Sequence, residues 1–167
     1  MKDLEGFEEL ARSFAESAQA LPKKNLSKAV RKGSAVVRRT VRSTAPRKSG
    51  DLRRGLILHK ERSRQQGKVV YDLMPDPKMN DVFQKPIKNP VRSKSSKGYY
   101  PASQEYGFFT RRPDGGMTYT RPTGEERTMD KVPGKYYMRS GAEISGEQAE
   151  NTIVGEILSE IEKTFGG

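Results

Sequence analysis

The sequence predicts an α+β domain, in which two N-terminal helices and one C-terminal helix pack on a small, mostly antiparallel sheet, with a long extended loop. Three observations support this prediction. Apolar residues recur at helical spacing near both ends of the chain, and short runs rich in β-branched and aromatic residues lie between them. Residues 75–98 contain four prolines and show no period, which is typical of an extended arm. The length of 167 residues fits one domain, 1–167.

The two N-terminal helices are predicted at 3–20 and 25–45. Asp3 suits the N-cap of the first helix, and Asn25 suits that of the second, because short polar side chains accept the free amides of a first turn. Pro46 and Gly50 end the second helix. One face of this helix is apolar and consists of Leu26, Val30, Gly33, Val37, Val41 and Thr44.

The opposite face of the second helix is a basic stripe. Its six cations are Lys28, Arg31, Lys32, Arg38, Arg39 and Arg42. Three interpretations are open: a solvated helix face, ion pairs with glutamates on the last helix of a neighbouring subunit, or contact with DNA phosphates.

The middle of the chain predicts short strands. A helical turn at 49–54 leads into a hairpin of strands at 55–63 and 67–74. A further strand is predicted at 99–109, ending in a bend at Gly107, and another at 117–120.

The last helix is predicted at 146–165. Ser145 and Gln148 form a capping-box pattern, with Ile144 and Ala149 as a hydrophobic staple. Its buried face is predicted to contain Ile153, Val154, Ile157, Leu158, Ile161 and Phe165.

Composition and charge exclude several classes. There is no cysteine, which excludes disulfide scaffolds and thiol chemistry, and His59 is the only histidine. No apolar run is long enough for a transmembrane helix, and the acidic, amphipathic N-terminus is unlike a signal peptide, so no membrane partner is expected. The net charge of +11 is uneven, because the basic body contrasts with an acidic segment at 140–167.

Motifs for catalysis are absent from the sequence. It contains no phosphate-binding glycine loop, no nucleophile elbow and no zinc-protease motif. The carboxylates of the middle segment are scattered through predicted loops, where such residues are usually solvated. We therefore expect no catalytic residues, no cofactor and no metal, and a protein that is not an enzyme.

Three short motifs, in this order, resemble a family of phage proteins. The first is Ala45-Pro46 followed by Ser49–Arg53, the second is Glu105–Gly107, and the third is Pro133–Arg139 followed by Ala142. Together they are similar to the neck or tail-completion family of lambda-like siphophages, the gene-ten-like tail components.

The resemblance implies a structural virion protein of the head–tail junction. Members are expected to form a ring, six-fold in the simplest case, that joins the tail to the capsid connector around the DNA channel. The implied partners are copies of itself, the head-completion or stopper protein, the tail-terminator or tail-tube proteins, and packaged DNA bound without sequence specificity. The implied location is the virion, with assembly in the host cytoplasm. A sequence-nonspecific nucleic-acid-binding protein is the alternative.

Some residues are predicted to lie at the interface between subunits. They are Glu105, Tyr106, Gly107, Tyr136, Tyr137, Met138, Arg139, Phe83 and Ile87. Aromatic clusters of this kind are frequent in protein interfaces. Glu105 is expected to pair with Arg139 or with a neighbour's cation.

Overall fold

The computed structural model describes most of the chain. The described residues are 12, 16, 20–65, 67–86, 97–111, 117–120, 123–124 and 126–165. The predicted helix at 3–20 lies outside them, apart from Arg12, Glu16 and Ala20, which are helical.

The described residues of the first half contain one long helix, a two-stranded sheet and several short elements. They are α1 (Lys23–Thr44), α2 (Asp51–Arg54), β1 (Leu56–Lys60), β2 (Tyr71–Pro75), a 3-10 turn (Pro77–Met79), α3 (Asn80–Phe83) and β3 (Gln84–Pro86). The second half contains β4 (Lys97–Tyr99), α4 (Tyr100–Tyr106), β5 (Gly107–Arg111), β6 (Met117–Thr120), β7 (Glu126–Pro133) and α5 (Tyr137–Phe165). The strands form three small sheets: β1-β2, β3-β4 and β5-β7-β6. The predicted α+β class is confirmed.

Two compact units are defined by the contacts within the chain. The first consists of Met1–Thr40, Ile57–Met74 and Ala142–Gly167, and the second of Val41–Leu56 and Pro75–Gly141. No helix in the described residues is both long and apolar enough to cross a membrane.

The core of the first unit lies where α1 packs on α5. Leu21, Leu26, Ala29 and Ile157 form a buried cluster, against which Val69, Ile153 and Ile161 pack. The helices approach closely at Gly33, where an added Cβ would lie 2.8 Å from the carbonyl oxygen of Ala149 and would overlap Ile153. Glycine is therefore required here for the fit of the two helices rather than for backbone freedom.

The second unit is built around large side chains that are completely covered. Leu52, Leu56, Phe83 and Tyr137 are each at most 1% exposed. Phe83 packs on Gly55 and meets the ring of Tyr99 edge to face, with the ring centres 6.1 Å apart. Burial of side chains of this size stabilises a domain by roughly 1.5–3 kcal/mol each.

The helix predicted at 25–45 is confirmed as α1, although it begins two residues earlier. The carbonyl of Pro22 accepts the amide of Asn25 at 2.8 Å, so Asn25 lies inside the first turn and is not the cap. Ala29 is also buried, which the apolar face defined from the sequence did not include.

The strand predicted at 99–109 is wrong for its first part. Residues Tyr100–Tyr106 form the helix α4, with Pro101 near its start, where the missing proline amide costs nothing. The backbone turns into β5 at Gly107, whose φ of 83° favours glycine. An added Cβ there would overlap the carbonyl oxygen of Val132 in β7, so the close strand pairing also requires glycine.

The last helix is longer than predicted, because α5 starts at Tyr137 instead of residue 146. Ser145 is 1% exposed in the helix interior, so the predicted capping box with Gln148 is wrong. The predicted staple residue Ile144 is 70% exposed. Of the predicted buried face, Ile157 is buried, whereas Val154 and Leu158 are 43% and 45% exposed.

Most of the described residues of the arm predicted at 75–98 have secondary structure. Its described residues form the 3-10 turn, α3 and β3, and β3 pairs with β4 in antiparallel register. Asp76 caps the turn by accepting the amide of Lys78 at 2.9 Å. Strand β7 was not predicted from the sequence, although it is the centre of the three-stranded sheet.

Candidate functional site

A basic groove of about 680 Å³ lies in the first unit, between α1 and the strands β1 and β2. Six of its ten lining residues are cations. The lining consists of Lys24, Ser27, Lys28, Arg31, Lys32, Ala35, Arg38, Leu58, Lys60 and Tyr71.

One wall of the basic groove is a face of α1. Lys24, Lys28, Arg31 and Arg38 are separated by four, three and seven residues, and this spacing places them on one side of a helix. At 1.5 Å of rise per residue, the wall from Lys24 to Arg38 is about 21 Å long.

The other wall comes from the strands, and hydroxyl groups join it to α1. The Lys60 ammonium in β1 donates a hydrogen bond of 2.7 Å to the Ser27 hydroxyl. The hydroxyls of Ser27 and Tyr71, in β2, lie 3.0 Å apart and share a further hydrogen bond. These contacts fix the spacing between the helix and the strands, and so define the width of the groove.

Glutamates on α5 partly neutralise the groove. Lys28 donates to Glu160 at 2.9 Å, and Lys32 forms an ion pair with Glu156. The hydrogen bond that Lys28 donates to Glu160 raises the pKa of Lys28, and the same bond lowers the pKa of Glu160. Both lysines therefore have a carboxylate partner within the same chain.

The other four cations of the groove are better placed to bind an anionic ligand. Within the described part of the chain, Lys24, Arg31, Arg38 and Lys60 have no carboxylate partner. All except Arg38 are exposed, and Arg38 is half-buried. The groove consequently keeps a local excess of about four positive charges, which favours a polyanion.

The basic stripe predicted from the sequence is divided in the structure. Lys28, Arg31, Lys32 and Arg38 line the groove, whereas Arg39 is exposed and lies outside it. Arg42 belongs to the second unit and donates a 2.9 Å hydrogen bond to the carbonyl of Leu56. Lys24 and Lys60 were not among the predicted residues, although Lys24 stands four residues before Lys28, a spacing that could have indicated it.

Glu105, predicted at a subunit interface, instead caps the last helix. Glu105 is 5% exposed, and its carboxylate accepts hydrogen bonds from the backbone amides of Met138 at 2.8 Å and Arg139 at 3.2 Å. The contact with Arg139 is therefore to its backbone. The chain before the helix is held by Lys135 and Tyr136, whose amides donate to the carbonyls of Gln104 and Glu105.

Tyr137 and Phe83 are interior residues of the second unit, not surface residues. The Tyr137 carbonyl accepts a 2.8 Å hydrogen bond from the Thr44 hydroxyl. Burial raises the pKa of the Tyr137 phenol, and the nearby Glu105 carboxylate adds to this effect. The buried Tyr137 hydroxyl has no hydrogen-bond partner among the described residues.

Other predicted interface residues do lie on the surface. Tyr106 is 70% exposed and Tyr136 is 41% exposed, and Arg139 is also exposed. Met138 is half-buried, and Ile87 lies outside the described residues. Phe108 and Phe109 in β5 are 43% and 51% exposed.

The described residues contain no cluster of three or more histidine, cysteine, aspartate or glutamate side chains suited to a metal ion. His59 is exposed in β1.

Comparison with known families points to a class of virion components. The model of the family described as "Bacteriophage HK97-gp10, putative tail-component" matches residues 8–76. This range covers α1, α2, β1 and β2, and thus includes the basic groove and the first of the three motifs. The resemblance to a phage tail-component family is confirmed over this range. No curated protein and no solved structure matches the chain at the level of significance applied.

Proposed function

We propose that the protein is a structural subunit of the phage head–tail junction. Copies assemble into a ring in the neck or tail-completion region, and the ring joins the tail to the capsid connector around the DNA channel. The observation that carries this proposal is the match of residues 8–76 to a phage tail component. The protein acts by assembly in the virion, and catalysis has no part in the proposal.

Exposed apolar side chains in both units support assembly with other subunits. On α5 of the first unit, Val154 and Leu158 are one turn apart and nearly half exposed. In the second unit, Phe108 and Phe109 point to opposite faces of β5, because side chains alternate along a strand. Both rings are about half exposed, so both faces of the sheet offer apolar area to a partner.

A closed ring requires a heterologous contact, in which one surface of a subunit meets a different surface of the next. The exposed aromatic residues of the second unit and the apolar residues of α5 provide two such different surfaces. Head-completion and tail-terminator or tail-tube proteins are the proposed neighbours along the axis, and six copies are the proposed number.

Deletion of the gene from the phage tests the proposal. We expect unjoined heads and tails in electron micrographs of lysates, and joining after addition of the purified protein. Normal tailed virions without the protein would refute the proposal.

A point variant tests the interface. Tyr106→Ser removes a ring that is 70% exposed, so the fold is retained while joining activity falls; Ala102→Ser, at another exposed position of α4, is the matched control. Equal joining by both variants would exclude Tyr106 from the interface.

A further inference from the structure

We propose that the basic groove binds the sugar–phosphate backbone of duplex DNA without reading its bases. The proposal deepens the proposed function and rests on it, since that function places the protein around DNA. The groove has two walls, one from α1 and one from the strands, and the strand wall includes Lys60 and Tyr71, which are distant from α1 in sequence.

The length of the groove suits a run of phosphates. Duplex DNA carries one negative charge per strand for each ~3.4 Å along its axis. The wall of about 21 Å between Lys24 and Arg38 therefore spans about six phosphates of one strand. Long, flexible lysine and arginine stems allow the charges to follow a backbone that curves past the helix.

The lining favours phosphate contact over base recognition. It contains no asparagine or glutamine, the side chains that pair with adenine edges. Its one aromatic residue, Tyr71, is held through its hydroxyl by Ser27. Arginine and lysine are the usual phosphate ligands, and their contacts position a protein on DNA without sequence information.

An acidic helix from a neighbouring subunit is the competing occupant. Two glutamates of α5, Glu156 and Glu160, are each already paired with a lysine of their own chain. Glu147, Glu150 and Glu162 are exposed on the same helix but are widely spaced. Duplex DNA carries one negative charge per ~1.7 Å of its axis, and this denser row of charge favours DNA as the occupant.

Salt dependence of binding gives a quantitative test. If the four cations without a carboxylate partner each neutralise one phosphate, the slope of log K against log salt is about −3.6. Affinity then falls about 150-fold between roughly 50 and roughly 200 mM salt. Fluorescence anisotropy of the full-length protein with a labelled DNA duplex of random sequence measures this slope.

Paired variants locate the binding surface. The double variant Arg31→Gln, Arg38→Gln leaves two phosphate contacts, so the loss of DNA affinity between the same two salt concentrations falls to about 12-fold. Arg39→Gln is the matched control, because Arg39 lies on the same helix but outside the groove. It is expected to retain the full dependence. Lys60→Gln, on the other wall, leaves three phosphate contacts, so DNA affinity is expected to fall by about 40-fold over the same salt range. This variant tests the groove independently if the double variant fails to fold.

Several results would refute the proposal. These are an unchanged slope in both the double variant and Lys60→Gln, an equal effect of Arg39→Gln, or poly-glutamate competing with DNA as strongly as DNA of equal charge. The last result would assign the groove to an acidic protein surface. The assay is independent of virion assembly, so failure to bind DNA with normal head–tail joining would refute this inference alone.

Discussion

The cap that Glu105 provides for α5 predicts a large loss of stability on its removal. Glu105 is 5% exposed, and its one carboxylate accepts hydrogen bonds from the amides of Met138 and Arg139, at 2.8 and 3.2 Å. Glu105→Ala leaves both amides without their acceptor at the start of a 29-residue helix. It also removes a negative charge from the positive end of the helix dipole.

The expected magnitude follows from these two hydrogen bonds. A hydrogen bond to a charged group contributes about 1.5–3 kcal/mol, so the two bonds together set a range of about 3–6 kcal/mol. The second bond is long, which places the expected loss near the lower end, at about 3–4 kcal/mol. For a chain of this size, 1 kcal/mol shifts Tm by about 2–4 °C, so Tm falls by about 10 °C.

Urea denaturation followed by circular dichroism measures the effect. Glu105→Gln keeps an acceptor oxygen but loses the charge, and we expect about half the loss of Glu105→Ala. Ser103→Ala is the control on the same helix, because its hydroxyl makes a local hydrogen bond of 3.2 Å to the carbonyl of Tyr99. A loss below about 1 kcal/mol for Glu105→Ala would refute the capping role.

Three further predictions follow from individual residues. Gly107→Ala and Gly124→Ala both place alanine at a positive φ, but of these two only Gly107 has backbone that the new Cβ would overlap. In urea titrations we therefore expect the free energy of unfolding to fall by about 1–2 kcal/mol for Gly124→Ala and by clearly more for Gly107→Ala. Equal losses would contradict the close approach at Gly107. Gly155→Ala, in α5 with no atom within 4 Å of the new methyl group, is expected to raise stability by about 0.5–1 kcal/mol, and a lower Tm would contradict this. Lys28 holds the pKa of Glu160 below its usual 4.5, so the pair stabilises the fold above that pH, and this contribution is lost as pH falls through the lowered pKa. The Tm difference between the wild type and Glu160→Gln should therefore be present at neutral pH and disappear in acid. A Tm difference that does not change with pH would exclude the ion pair as its source.

Helices with a strong apolar period could be predicted from the sequence. The period from Leu26 to Val41 identifies α1 to within two residues, since the buried face of an amphipathic helix follows directly from residue spacing. The hairpin of β1 and β2 was also predicted, because its runs of apolar and β-branched residues are separated by polar ones.

Elements that depend on distant contacts could not be predicted in this way. The start of α5 is determined by Glu105, which is far away in sequence, whereas Ser145 offers a local cap pattern that the structure does not use. The aromatic residues near Tyr100 favoured a strand, but Tyr100–Tyr106, with Pro101 near its start, forms a helix.

The basic groove was predicted in part. Helical spacing places Lys28, Arg31 and Arg38 on one face, as the sequence analysis found. The contribution of Lys60 depends on how the strands pack on α1, and charge patterning along a single helix carries no information about that packing.

The capping contact makes two backbone amides into natural reporters. Met138 and Glu105 are 33 residues apart, and the segment between them contains the whole three-stranded sheet. Hydrogen exchange at Met138 and Arg139 therefore follows the separation of α4 from the start of α5, while amides in the middle of α5 follow unwinding of the helix itself. The exchange rates of these two amides therefore report whether the segment between Glu105 and Met138 is folded.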